Sequence, residues 1–164
     1  MSKRECGECS VCCTLMAVPE IQKKTMVTCQ HVCAGGGCGV YATRPGSCKA
    51  FECLWLQDNQ QALQEGDRPD KLGLMFSMMY KTAFGDVLTA WNTKPGQPLG
   101  ERAVGIIEKI AAKQVLLIID GSKRSVVGPP HEMPRIMAIM NERKAWAEKD
   151  KPKSPMLQNR PNNP

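Results

Sequence analysis

The pattern of hydrophobic and polar positions changes character near residue 57. Beyond that point the apolar residues recur with the periods of regular structure. LGLMFSMMY (72–80) and DVLTAWNTK (86–94) read as two strands, and KTAFGD (81–86) between them carries a Gly-Asp turn signal, so the pattern predicts a hairpin. PLGERAVGIIEKIAAKQ (98–114) places Ala103, Ile107, Ile110 and Ala111 on one face at helical spacing. VLLIID (115–120), bounded by Asp120-Gly121, suits a buried strand, with SVVG (125–128) pairing beside it. MPRIMAIMNERKAWAEK (133–149) has Pro134 near its first turn and Ile136, Met137 and Met140 on one face, which predicts a second helix. The order β-β-α-β-β-α predicts an α+β layer of sheet and helices.

Before residue 57 these periods are missing. The single stretch with helical character is VPEIQKKTM (18–26), where Pro19 suits a first turn and Glu20 follows it. A segment so short, with so few large apolar side chains, cannot bury enough surface to hold itself folded. Some crosslink must supply the difference, and all nine cysteines lie between residues 6 and 53. The expected organisation is therefore a small irregular metal-stabilised cysteine-rich module over 1–57, packed on an α+β domain over 58–150. The remainder, 151–164, has four prolines in fourteen residues and is expected to be a disordered tail.

Composition narrows the chemistry. Hydrophobic residues at 42% and charged residues at 23% fit a soluble globular chain. The ten Met residues are expected as core fillers rather than copper ligands. The start, MSKRECGECS, has no apolar stretch resembling a signal peptide, and VLLIID is too short to span a bilayer, so a cytoplasmic protein without membrane partners is expected. Thiols stay reduced there, and nine is an odd number for a closed disulfide framework. The formal charge of +6 counts each cysteine as neutral, whereas two four-thiolate zinc sites would each contribute about −2. No basic stripe is interleaved with aromatics, so nucleic acid is not an expected partner. Metal ions are, and a protein partner stays open.

The cysteine spacing is Cys6-x2-Cys9-x2-Cys12-Cys13, then Cys29-x3-Cys33-x4-Cys38-x9-Cys48-x4-Cys53. A two-residue gap lets two thiolates turn back onto one ion. A tetrahedral zinc needs four ligands, so eight cysteines suit two single-ion sites or one polynuclear cluster. Neighbouring side chains usually point apart, so Cys12 and Cys13 could serve two sites, or one thiolate could bridge two ions. Zinc and iron–sulfur centres both take thiolates. The ferredoxin continuation x3-Cys-Pro is missing after Cys12. His31 could replace a thiol, although a lone loop histidine is more often simply exposed. GGG (35–37) would let the backbone turn tightly and bring Cys38 to the metal. Arg44, held extended before Pro45, could offset thiolate charge through N–H···S bonds, with an ordinary surface ion pair as the alternative. Phe51 and Trp55 are expected to cover the site or to join the core of the second part.

CGECSVCC (6–13), Cys29 and CGVYATRPGSCKAFEC (38–53) together resemble the CxxCxxCC family, the YkgJ-type cysteine-cluster proteins, over roughly residues 6–56. The resemblance implies a zinc- or iron-chelating domain whose eight cysteines fall on Cys6, Cys9, Cys12, Cys13, Cys29, Cys38, Cys48 and Cys53. Tyr41, Arg44, Pro45 and Phe51 match the rest of the pattern, and Cys33 is left as the spare thiol. It implies metal binding with no established reaction. The expected function is thus a metal-binding protein, mainly structural, holding zinc, or alternatively iron or an iron–sulfur cluster, with Arg44 beside the group. An iron–sulfur redox or carrier protein is the alternative. An enzyme ranks below both, since a near all-Cys set can close around its metal and His31 and His131 are the only histidines.

Overall fold

The apolar stretches after residue 73 fold as one sheet because their alternate residues can be buried on two faces at once. The computed structural model describes residues 4–58, 62–82 and 85–149. Strands β1 (Leu74–Thr82), β2 (Gly85–Asn92), β3 (Leu116–Asp120) and β4 (Lys123–Val127) lie in that order across the sheet. β1 and β2 are antiparallel from Leu74↔Asn92 to Thr82↔Gly85, with a register slip between Ser77 and Tyr80. The tip of their expected turn, residues 83–84, lies outside the described residues. β2 and β3 are parallel from Leu88↔Leu116 to Trp91↔Ile119, which demands a crossover. Helix α5 (Glu101–Ala111) provides it. β4 returns antiparallel to β3 through Gly121, whose φ of +58° is the left-handed region that glycine adopts without strain. Helix α6 (Met133–Lys149) follows.

Successive strand residues point to opposite faces, and the burial in β2 and β3 follows that rule, whereas Leu74, Met75 and Phe76 of β1 are all buried in one cluster. Leu88, Ala90 and Leu116 pack with Leu74, Phe76 and, from α5, Ala103 and Ile106. Val87, Leu117 and Ile119 pack with Ile136 and Ile139 of α6. The two helices therefore cover opposite faces of the sheet. Both helical faces differ in part from expectation. In α5, Ile106 is buried beside Ala103, while Ile107 and Ile110 are half-buried against the same core. In α6, Ile136 and Ile139 are buried, and Met137 and Met140 are 54% and 40% exposed. Each residue turns a helix by about 100°, so once Ile139 joins Ile136 in the core, Met137 faces away.

The N-terminal part has little regular structure. VPEIQKKTM forms only a 3-10 turn, Pro19–Ile21, instead of the expected helix. Gln22 enters the left-handed region at φ +54°, which ends the turn, and Val18 and Lys23 then exchange backbone hydrogen bonds of 2.9 and 3.0 Å. Four short helices, α1 (Val11–Leu15), α2 (Gly46–Ala50), α3 (Leu54–Gln57) and α4 (Pro69–Leu72), make up the rest with further 3-10 turns. Helices of this length have no stability of their own. Leu15, Met16, Cys53, Trp55 and Leu72 are buried in the same cluster as Leu74 and Phe76, so the cysteine-rich segment is built onto the sheet. Trp55 thus joins the core. Arg4 stacks over its ring at 5.0 Å and donates to its carbonyl, to Asp58 and to the carbonyl of Leu63. Farther along, Arg102 of α5 makes two bonds to Asp67, at 2.9 and 2.6 Å. Among the described residues no helix is long and apolar enough to cross a membrane.

Two outcomes follow from this packing. Leu15 is 1% exposed, so Leu15→Ala is expected to cost about 2–5 kcal/mol in urea unfolding, against about 0.5 kcal/mol or less for Met137→Ala; equal small effects would detach the segment from the core. Asp67 is 2% exposed, and the Arg102 guanidinium holds its carboxyl below the usual range. A carboxyl that resists protonation when folded contributes stability above its unfolded pKa of about 4, and loses it as the pH falls through the lower folded value. The stability gap between the wild type and Asp67→Asn should be full at neutral pH and close below about pH 4; a gap independent of pH would contradict the assignment.

Candidate metal centre

Each cysteine is placed by a short-range backbone device. The Cys9 amide donates to the Cys6 carbonyl at 2.9 Å across a turn in which Gly7 has φ +54°. The turn leads into α1, which carries Cys12 and Cys13, and the Cys29 amide donates to the Cys13 carbonyl at 2.9 Å. Val32 and Cys38 form an isolated bridge around the glycine run. That run does more than turn. Gly36 and Gly37 have φ +89° and +77°, and added Cβ atoms would lie 2.3 Å from the Glu8 carbonyl oxygen and 2.8 Å from that of Gly7. The loop that delivers Cys38 is thus laid directly on the Cys6–Cys9 turn. Cys48 sits on α2, whose first turn is capped from a distance: the Glu20 carboxylate accepts from the Ser47 amide and hydroxyl, both at 2.7 Å. Cys53 is the N-cap of α3.

These placements bring all eight expected ligands, Cys6, Cys9, Cys12, Cys13, Cys29, Cys38, Cys48 and Cys53, to the wall of one cavity of ≈ 150 Å³. Cys33 is exposed and does not line it. Met16, Val18, Phe51, Leu56 and Met75 give the cavity an apolar side, while His31, Tyr41 and Arg44 lie along it as well. Phe51 therefore covers the site while its neighbour Trp55 serves the core.

The donor set suits a soft metal in kind and number. Its arrangement is open: among the described residues, no three His, Cys, Asp or Glu side chains are disposed to hold one ion between them. Four sulfurs around a zinc at about 2.3 Å stand only about 3.8 Å apart, so the thiols would have to draw inward onto a metal. Cys12 and Cys13 were expected to diverge or to bridge. Both line the one common cavity.

Burial governs most of the thiols. It raises Cys6, Cys48 and Cys53, and takes Cys9 to about 11. The Cys12–Cys13 pair splits, because the shared hydrogen bond keeps the proton on Cys12 and pulls Cys13 down, helped by Lys23 and Cys38. Against that burial, the neighbouring Tyr41 hydroxyl and the charge of Arg44 both favour the Cys6 thiolate. Arg44 itself stacks on Tyr41 at 3.9 Å and donates to the carbonyls of Tyr41 at 2.8 Å and Cys48 at 3.4 Å. Its contribution to the cavity is thus a charge and a brace for the loop. His31 lies beside Gln30, with 3.3 Å between the Gln amide nitrogen and Nε2.

Three further contributors had no signal in the sequence. Lys23 holds the end of α1 through the carbonyls of Thr14 and Met16, Glu20 holds Ser47 beside Cys48, and Arg68 pairs with Asp70 at 2.7 and 2.8 Å, placing a charge that bears on Cys9. Nothing in the run KK distinguishes the buried Lys23 from the exposed Lys24. No family model, no curated protein and no solved structure matches the chain.

The glycine contacts give a sharp contrast. Gly36→Ala and Gly37→Ala are expected to cost at least about 1–2 kcal/mol each through positive φ alone, with the clash added, and to increase alkylation of Cys6 and Cys9. Gly35→Ala meets nothing within 4 Å and should leave both unchanged. Equal behaviour of the three variants, read by mass spectrometry of alkylated peptides, would remove the close approach.

Proposed function

We propose that this protein binds metal, zinc in the first place, through its eight cavity cysteines as one multi-ion thiolate site that keeps the N-terminal segment folded. The observation that carries this reading is the convergence of thiols from distant parts of the chain on one cavity, with the ninth left outside. Eight thiolates exceed what one tetrahedral ion can use, and a shared cavity favours ions joined by bridging thiolates over two isolated sites. The structural role is supported by the short helices and sparse burial around the cysteines, since metal bound only by the folded form adds its binding free energy to folding. The resemblance to the CxxCxxCC family points the same way: its matching positions Tyr41, Arg44, Pro45 and Phe51 also line the cavity.

When bound, the metal would supply crosslinks and positive charge. The chain's own residues do the rest: Arg44 and Lys23 bring cations near the thiols, and Phe51, Leu56 and Met75 keep water from one side. The buried thiols must shed protons to bind, so uptake should strengthen with rising pH. A second reading, an iron–sulfur redox or carrier protein, is favoured by that apolar side, because limited solvent access is one of the levers on a cluster's potential.

Anaerobic purification followed by elemental analysis and absorption spectroscopy tests the proposal. Stoichiometric zinc in a colourless protein is the expected result, while iron, sulfide and visible absorbance would install the second reading. Cys9→Ser is expected to lower metal content at least twofold and Cys33→Ser to leave it unchanged. Equal losses would overturn the ligand assignment, and a metal-free protein from both aerobic and anaerobic preparations would overturn the function.

A further inference from the structure

Lys23 is a buried cation whose partners do not balance its charge. It is 8% exposed, and all three donors of its ammonium are engaged, by the carbonyls of Thr14 at 3.1 Å, Met16, and Lys24 at 3.1 Å. Two of these carbonyls belong to the C-terminal end of the helix that carries Cys12 and Cys13, and the backbone of Lys23 pairs with Val18 on the cavity wall. The ammonium is therefore fixed in place. Among the described residues no carboxylate pairs with it: the ion pairs there join Arg4 to Asp58, Arg68 to Asp70, Lys71 to Glu65, Arg102 to Asp67 and Arg135 to Glu132.

A buried charge with no opposite charge is expensive, and carbonyl dipoles offset only part of the cost. The groups that could supply the anion are thiols. Cys12 and Cys13 stand on the helix whose end the ammonium caps, the Cys29 amide is bonded to the Cys13 carbonyl at 2.9 Å, and all three thiols line the cavity. An ammonium so placed is stabilised when those thiols are thiolates, and it returns the favour by holding their charge.

We propose that Lys23 is the built-in counter-cation of the thiolate site, a charge-balancing residue that lets the cavity retain more negative charge than its metal alone would offset. The inference rests on the metal–thiolate reading above. Lys23 is not a ligand; it acts on the ligands through its field, from a position set by the three carbonyls. Capping those carbonyls is a separate service, and two substitutions tell the services apart. Lys23→Gln keeps hydrogen-bond donors without the charge, and Lys23→Met keeps neither.

The full chain is titrated anaerobically with zinc against a competing chelator, and in parallel with cobalt(II), whose sulfur-to-metal charge-transfer bands report on thiolate donor energy. Both variants are expected to lose at least tenfold in affinity, and the cobalt bands of Lys23→Gln should move to longer wavelength, since thiolates without the cation give up electrons more easily. A Gln variant with wild-type affinity, or with unmoved bands, overturns the proposal and leaves Lys23 as a cap. A Gln variant that does not fold does the same. If Lys23→Met fails to fold, the comparison of Lys23→Gln with the wild type decides alone. A wild-type chain that takes up neither ion removes the metal reading and this inference together, whereas wild-type uptake with an unaffected Gln variant removes only the inference.

Discussion

Eight thiols around one small cavity cannot all ionise unless positive charge comes with them. Two thiolates about 4 Å apart repel by about 4 kcal/mol at an effective dielectric near 20, and each also loses solvation on burial. Cations must therefore enter the cavity, or the thiols must keep their protons. Without a metal the second outcome dominates, since burial raises most of these thiols and the Cys12–Cys13 pair keeps its proton on Cys12. The positive groups placed close by, Lys23 beneath α1 and Arg44 along the cavity, reduce the mismatch without removing it.

The rest of the molecule is arranged around that requirement. The cysteine-bearing segments are turns and helices too short to persist alone, and they are braced from two directions. Leu15, Met16, Cys53 and Trp55 anchor them to the first face of the sheet, while α6 closes the opposite face and none of its described side chains lines the cavity. Within the segment, contacts between residues distant in sequence set the geometry: Glu20 caps the helix bearing Cys48, and the glycine run rests on the Cys6–Cys9 turn. A sheet domain thus acts as a rigid floor, and the cavity is built in irregular chain above it. Among the described residues the thiols are gathered on one cavity without being closed on an ion.

The layer was legible because strands and helices carry their periods locally. All six expected elements are present in the expected order, and the expected hairpin pairs antiparallel with a register slip between Ser77 and Tyr80. The parallel pairing of β2 with β3 was not legible, because it depends on where the crossover helix docks. The helical faces shifted for a related reason: Ile106 and Ile139 lie at the edge of each apolar stripe, and only docking against the sheet decides which edge is buried. VPEIQKKTM misled through its helix-compatible residues. Gln22 ends the turn after three residues by entering the left-handed region, and Val18 and Lys23 then pair across it. At the site, cysteine spacing and the family resemblance picked out the eight residues that share the cavity and the one that does not. Neither could find Lys23, Glu20 or Asp70, since each acts through a contact between segments and belongs to no motif.

The central claim is a single thiolate site holding more than one ion. X-ray absorption at the K edge of the metal carried by the purified full-length chain tests it most directly. The account predicts a first shell made of sulfur, at about 2.3 Å if the metal is zinc, with a second shell from a neighbouring metal. A shell dominated by nitrogen or oxygen, or a sulfur shell with no metal neighbour, would contradict it.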